Sequence, residues 1–171
     1  VNPAALIVRA RGLLIDLDGT LVDSSGPVRR AWEAFARRHG LDADSVHSYA
    51  QGRPSRDTVA DLLPGADHDA ETAALDRAEL ADPDGVVALP GAAEVLGSGL
   101  RLGIVTSCSR ALAALRLRLA GLPVPTMLVT ADDVERGKPD PTCYLLGALD
   151  WTWICAEQPR APSRRAREHR R

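Results

Sequence analysis

At 171 residues the chain is long enough for one hydrophobic core and a small accessory unit. Its formal net charge of -2 gives no electrostatic case for nucleic acid as a partner. No apolar stretch is long enough to span a bilayer, and the first residues lack the charged-then-apolar order of a signal peptide, so the expectation is no membrane partner and a cytoplasmic location.

In chain order, Ala4 to Val8 reads as a leader or a short strand, and Gly12, Leu13, Leu14 and Ile15 read as a fully buried strand running on to Asp18. Asp16-Leu17-Asp18-Gly19-Thr20-Leu21-Val22-Asp23 follows. Period-2 geometry turns Asp16 and Asp18 toward one side, while Gly19 permits a sharp turn, so two acids leave the strand end together. Two close carboxylates repel unless a divalent cation lies between them. A hard ion such as Mg2+ takes one or two carboxylates and keeps water and phosphate oxygens as its other ligands. The first acid is then placed to attack phosphorus, and the second to protonate a leaving oxygen and later activate water.

From Ser24 to about Val87 the punctuation predicts an all-helical insertion. A first helix starts at Pro27 and ends before Gly40, with Val28, Ala31, Trp32, Phe35 and Ala36 as its apolar stripe. Further helices are predicted over Asp42 to Tyr49, Ser55 to Leu63 and Asp67 to about Leu80. The chain returns at Leu89-Pro90-Gly91 with a helix over Ala92 to Leu96, and Leu102 to Thr106 is a second strand. Thr106 and Ser107 lie at its carboxyl end, where hydroxyls and backbone N–H groups hold phosphate. A helix over Ser109 to Ala120 takes Ser109 as N-cap and Gly121 beyond its end, and Met127 to Thr130 is a third strand. Gly137-Lys138-Pro139-Asp140-Pro141 then puts the only lysine of the chain in a stiff turn, a compact cation suited to offset charge on a nucleophile and a phosphate. Crossover helices between parallel strands make the core α/β.

Cys108, Cys143 and Cys155 form neither a paired framework nor a metal spacing, which fits reduced thiols serving as small apolar fillers. His39, His47, His68 and His169 are scattered without ligand spacing and read as surface or insertion residues. The GxxxxGK[ST], GxGxxG and GxSxG motifs are all missing, which removes nucleotide-driven motors and serine esterases from consideration.

In combination, DLDGTLVDS (Asp16 to Ser24), LPGAAEVL (Leu89 to Leu96), GIVTS (Gly103 to Ser107) and GKPDP (Gly137 to Pro141) resemble the haloacid dehalogenase superfamily, in its phosphatase and phosphomutase branch with a helical cap. The resemblance spans roughly residues 10 to 149. It implies a Rossmann-like parallel sheet core with an inserted all-helical cap, residues 1–23 and 88–156 forming the core and 24–87 the cap. It further implies Asp16 as a nucleophile that becomes an aspartyl phosphate, Asp18 as general acid/base, Thr106 as a phosphoryl-binding hydroxyl and Lys138 as the steadying cation. Asp16 and Asp18 are the Mg2+ ligands of this reading, and Gly19 and Ser107 join the substrate contacts. Gly52-Arg53-Pro54-Ser55-Arg56-Asp57 resembles the family's substrate-reading loop, with Arg53 or Arg56 holding a sugar hydroxyl or a second anion. Dehalogenases of the family lack the second aspartate, so Asp18 favours phosphate chemistry.

The resemblance also implies a fourth motif, a further strand ending in acids, after the helix that begins near Pro141. The sequence instead passes through Trp151 to Ala156 into an arginine-rich tail over 157–171 that reads as disordered, like a truncated or frame-shifted gene end. Glu157 is a weak candidate to substitute, with no strand to aim it. Loss of that strand makes the nucleophile strand an open edge unless residues 151–156 cover it, and the expectation is marginal stability with weakened Mg2+ binding. The expected activity is Mg2+-dependent hydrolysis of a small phosphorylated metabolite, a sugar or polyol phosphate. The alternatives are phosphoryl transfer of the β-phosphoglucomutase kind and a silent remnant that binds phosphate or a partner without turnover.

Overall fold

A computed structural model describes residues 12–156, with side chains through Leu149; Ala4 to Val8, Glu157 and the rest of the tail lie outside the described residues. Three short strands form a parallel sheet: β1 (Leu13–Ile15), β4 (Leu102–Val105) and β5 (Met127–Val129), in the order β1-β4-β5. Leu14 sits opposite Gly103, and Gly103 opposite Met127. The central strand is buried along Gly103 to Val105, as a strand covered on both faces must be. At Gly103 a Cβ would lie 2.7 Å from Met127 Sδ and 3.0 Å from Leu14 Cδ2, so the absent side chain is what lets its neighbours meet across the strand.

Between β1 and β4 the chain leaves and re-enters the core through a two-stranded antiparallel ribbon, β2 (Val22–Asp23) against β3 (Val87–Ala88). Four helices lie in between: α1 (Ser25–His39), α2 (Ala43–Ala50), α3 (Ser55–Leu62) and α4 (His68–Ala81). α1 starts two residues before Pro27, which is then accommodated in the first turn, where no N–H partner is needed. Gly40 closes α1 at φ 67°, donating its N–H to Ala36 O. The Asp42 and Asp67 side chains accept from Ser45 N and Ala70 N, capping α2 and α4. Ala31, Trp32, Phe35, Ala36, Val46, Ala50, Val59 and Leu75 form this insertion's own apolar cluster, and the remaining residue of the first helix's predicted stripe, Val28, packs against it partly buried.

On the core side, α5 (Ala92–Leu96) and α6 (Arg110–Leu119) cover one face of the sheet, where Leu17, Leu21, Val22, Ile104, Ala113 and Leu117 pack together. α7 (Thr142–Ala156) packs on the opposite face against β5, β4 and β1, with Cys143 buried beside Val105 and Val129. Residues 151–156 continue this helix and so belong to an element on the sheet's face. Among the described residues β1 pairs only with β4, and its outer edge carries Leu13 at 46% exposure.

Three predicted strands are shorter than expected, β4 only by its last residue, Thr106. β1 stops at Ile15 because the Leu17 carbonyl accepts from Thr20, Leu21 and Val22 N–H groups, and Gly19 turns the chain at φ 74°. β5 stops at Val129 because Thr130 and Asp133 form a reciprocal capping box over a 3₁₀ turn at Ala131–Asp133. Among the described residues no helix is long and apolar enough to cross a membrane.

Candidate active site

The carboxyl ends of β1 and β4 bring the motif residues together as two linked pairs. Asp16 follows β1, and its Oδ1 accepts from Lys138 Nζ at 2.8 Å and from Leu17 N at 2.8 Å. Lys138 also donates to Val105 O at 2.9 Å, the residue before Thr106, and its ammonium lies 5.3 Å from the Tyr144 ring centre. Partial burial works against the charge of Lys138, but the hydrogen bond and charge of Asp16, with Tyr144, outweigh it and hold its pKa above the ordinary lysine range.

Asp18 forms the second pair with Thr106, whose Oγ1 donates to Asp18 Oδ2 at 3.2 Å. Its other oxygen accepts from Ser24 Oγ at 2.7 Å and from Arg116 Nη1 at 2.9 Å. Leu17 is fully buried between the two acids, but Asp16 and Asp18 are not turned to one side as the period-2 reading expects, because the strand ends at Ile15, before either of them. They face different openings. Asp16 lies in an open groove along β1, whereas Asp18 lines a cavity of ≈ 200 Å³ between the core and the helical insertion.

That cavity assigns the remaining candidates. Gly19, Ser107 and Arg53 line it with Asp18, and Arg56 does not. Arg53 stacks over Tyr49, with 4.4 Å to the ring centre, and pairs with Asp61; its Nε is buried without a hydrogen-bond partner. Arg56 turns to Asp69 at 3.0 Å on an exposed surface. The two arginines are thus separated by direction, since Arg53 precedes Pro54 in a loop and Arg56 sits in the first turn of α3. Gly19 spends its N–H on Val22 O at 2.8 Å, and Ser107 Oγ donates to Gly52 O at 3.2 Å, tying the β4 loop to the insertion.

Several cavity residues were not among the site residues of the sequence reading: Ser24, Trp32, His47, Gln51, Glu79 and Arg116. Arg116 and Glu79 carried a usable signal. Arg116 falls on the buried stripe of α6 with Leu112, Ala113 and Leu117, and Glu79 falls one turn from buried Leu75 on α4, so each charge occupies a position where the helix period calls for an apolar residue. Their side chains pair directly. Burial pushes the Glu79 carboxyl up to about 7, against the opposing pull of Arg116. Cys108 is pushed up to about 12 by burial and then by the charge of Asp18, so its thiol is inert, as the reading of an apolar filler expects.

No group of three or more His, Cys, Asp or Glu is placed to hold a metal among the described residues. Asp16 fits as a ligand to Mg2+: its side chain is 37% exposed, and its Oδ2 accepts no hydrogen bond among the described residues. The Asp18 carboxylate fits less well, because both of its oxygens are engaged by Ser24, Arg116 and Thr106. The donor set therefore suits an ion that takes most of its remaining ligands from water and phosphate, a mode open to Mg2+.

Known proteins are similar to this chain in sequence and fold. Hexitol phosphatase A of Escherichia coli (strain K12) is 44% identical over 148 residues, which cover 82% of this chain and 68% of that protein. Validoxylamine A 7'-phosphate phosphatase of Streptomyces hygroscopicus subsp. limoneus is 42% identical over 77% of this chain and 66% of its own length. The chain thus spans about two thirds of the length of these curated relatives. A hydrolase from Pseudomonas syringae of known structure superposes with a TM-score of 0.72 at 27% identity, covering 82% of this chain and 69% of that one. Residues 10–148 match the family model described as haloacid dehalogenase-like hydrolase, and the chain belongs to that family.

Proposed function

We propose that this chain hydrolyses the phosphate monoester of a small sugar or polyol, with Asp16 as nucleophile, Asp18 as general acid and then base, and the helical insertion over 24–87 as a cap on the core formed by 1–23 and 88–156. The observation that carries the reading is the pair of contacts at the carboxyl ends of β1 and β4, Asp16 with Lys138 at 2.8 Å and Asp18 with Thr106 at 3.2 Å. A carboxylate oxygen of Asp16 forms a bond to phosphorus as the bond to the leaving oxygen breaks, and Asp18 gives that oxygen its proton. Water then attacks the aspartyl phosphate, its proton passing to Asp18, which restores both acids and releases inorganic phosphate. Lys138 offsets the charge gathered on Asp16 and the phosphoryl oxygens, and the Thr106 hydroxyl donates to one of them. Mg2+, when bound, would be held through Asp16 and would neutralise phosphate charge.

Phosphatases of hexitol phosphate and of validoxylamine A 7'-phosphate among the relatives support a polyhydroxylated leaving group. The cavity of ≈ 200 Å³ beside Asp18, lined by Gln51, His47 and Arg53, supplies donors and acceptors for such hydroxyls. Release of phosphate from a hexitol 6-phosphate and from p-nitrophenyl phosphate, measured with Mg2+ for the wild type, Asp16→Asn and Asp18→Asn, tests the proposal. Turnover lost in Asp16→Asn supports it. Equal rates, or none in the wild type, leave the silent phosphate-binding reading instead, and transfer of phosphate to a second hydroxyl in place of release would favour the mutase-like one.

A further inference from the structure

The charged side chain buried deepest beside the proposed acid/base is Arg116. It is 4% exposed, and its partner Glu79 is 5% exposed. Arg116 stands on α6 of the core, with Nη1 donating to Asp18 Oδ1 at 2.9 Å and Nη2 to Glu79 Oε2 on α4 of the insertion. The guanidinium is planar and rigid, so one fork bridging two carboxylates fixes the direction of one bond by the position of the other. Either protonation state of Glu79 leaves an acceptor oxygen for Nη2.

We propose that Arg116 is a positioning residue for the Asp18 carboxylate and that Glu79, which is hydrogen-bonded to Arg116 and to neither Asp18 nor Asp16 among the described residues, holds Arg116 to that task from the insertion. The inference rests on the reading of Asp18 as the acid/base. Ser24 and Thr106 confine Asp18 from two sides, and Arg116 supplies the third contact and the only cationic one shown. A purely structural ion pair makes a different prediction. Buried pairs are often replaced by apolar side chains of similar volume with no loss of stability, so a structural Glu79–Arg116 pair would be exchangeable without cost to turnover.

The test is the double variant Glu79→Leu/Arg116→Met beside Glu79→Gln, Glu79→Leu and Asp18→Asn. We expect the double variant to fold cooperatively and to lose up to about 10²-fold in kcat with KM changed less than threefold, the size of effect that misplacing a reacting group produces. Glu79→Gln, which keeps an acceptor for Nη2, loses less than Glu79→Leu. In the Asp18→Asn background the double substitution has no further effect. A folded double variant with wild-type kcat overturns the proposal, as does an equal loss with and without Asp18. A readout independent of turnover is the carboxyl 13C resonance of Asp18, assigned by its disappearance in Asp18→Asn. It moves in Glu79→Gln although Glu79 shares no hydrogen bond with Asp18, and a resonance that stays in place overturns the relay even if the double variant fails to fold. Absent turnover in the wild type with a moved resonance sinks the proposed activity and leaves the positioning intact.

Discussion

A single methyl group at Gly137 should separate the insertion from the Lys138 loop. An alanine Cβ there would lie 2.1 Å from Pro54 Cγ, 3.2 Å from its Cβ and 3.3 Å from its Cδ. Carbon–carbon contacts settle near 3.5–4.0 Å, so the nearest pair must part by roughly 1.4 Å. Pro54 is poorly placed to yield. Its ring is rigid, it leads into α3, and its carbonyl accepts from Thr58 N at 3.1 Å and from the buried Thr58 hydroxyl at 3.2 Å. The displacement therefore falls on the 136–141 loop or on the insertion as a unit. Either carries a penalty of about 1–3 kcal/mol, the usual cost of overpacking. Because Lys138 is the next residue and reaches Asp16 at 2.8 Å, a shift of that size also moves the cation off the proposed nucleophile, for an expected loss of about 10²-fold in kcat/KM. Urea denaturation and phosphate release read the two effects separately. Pro54→Ala removes Cγ and Cδ, the first and third nearest atoms, so Gly137→Ala/Pro54→Ala should recover most of the stability and turnover that Gly137→Ala loses. Pro54→Ala alone should cost under about 1 kcal/mol through the greater freedom of the unfolded chain. Wild-type stability and turnover in Gly137→Ala, or a double variant no better than the single one, would refute the steric reasoning.

The sequence was most readable where local chemistry and burial point the same way. The strand predicted over Leu102 to Thr106 was placed to within one residue of the observed Leu102–Val105 because a short apolar run bounded by polar positions satisfies both the strand period and a two-sided core. Asp42, Asp67 and Ser109 were readable as caps for a similar reason, each offering a side-chain oxygen to an N–H that the helix cannot satisfy. The end of β1 was not, because the turn that stops it depends on three N–H groups converging on one carbonyl, that of Leu17, an event in three dimensions with only Gly19 as its local trace. Of the site, the Asp16–Lys138 and Asp18–Thr106 meetings were legible from motif order, since parallel strands deliver their carboxyl ends to one side of a sheet, but the turning of both acids to one side was not borne out, Asp16 and Asp18 facing different openings. The Asp18–Arg116–Glu79 contacts were not legible. Their partners stand 98 and 37 residues apart in the chain, and only the intrusion of a charge on each apolar stripe hinted at them. The choice between Arg53 and Arg56 likewise needed coordinates, because a loop residue and a first-turn residue three positions apart face different neighbours.

The same geometry sets three further expectations. Lys138→Ala removes the cation from Asp16 and should lower kcat by about 10²–10³-fold, the range found when one donor at a developing charge is deleted; a loss confined to KM in steady-state assays would assign Lys138 to ground-state binding only. Ile104→Ala, in the fully buried middle of β4, should cost about 2–5 kcal/mol in urea denaturation, and a cost below 1 kcal/mol would mean that the sheet's centre is looser than its packing indicates. The last concerns pH. The Glu79 carboxyl is held up to about 7 from an ordinary 4.5 by burial, despite Arg116, so the folded protein binds this proton more tightly than the unfolded chain does. Its contribution to stability is full below pH 4.5, falls as pH rises toward about 7, and is lost above that, a span worth about 3 kcal/mol at 1.36 kcal/mol per unit. Glu79→Gln removes the proton from the balance, so the difference between wild-type and variant stability should slope downward with pH across this window and flatten on either side. A difference that stays constant from pH 4 to pH 8 would show that Arg116 fully compensates the burial of Glu79 and that the pair is ionised throughout.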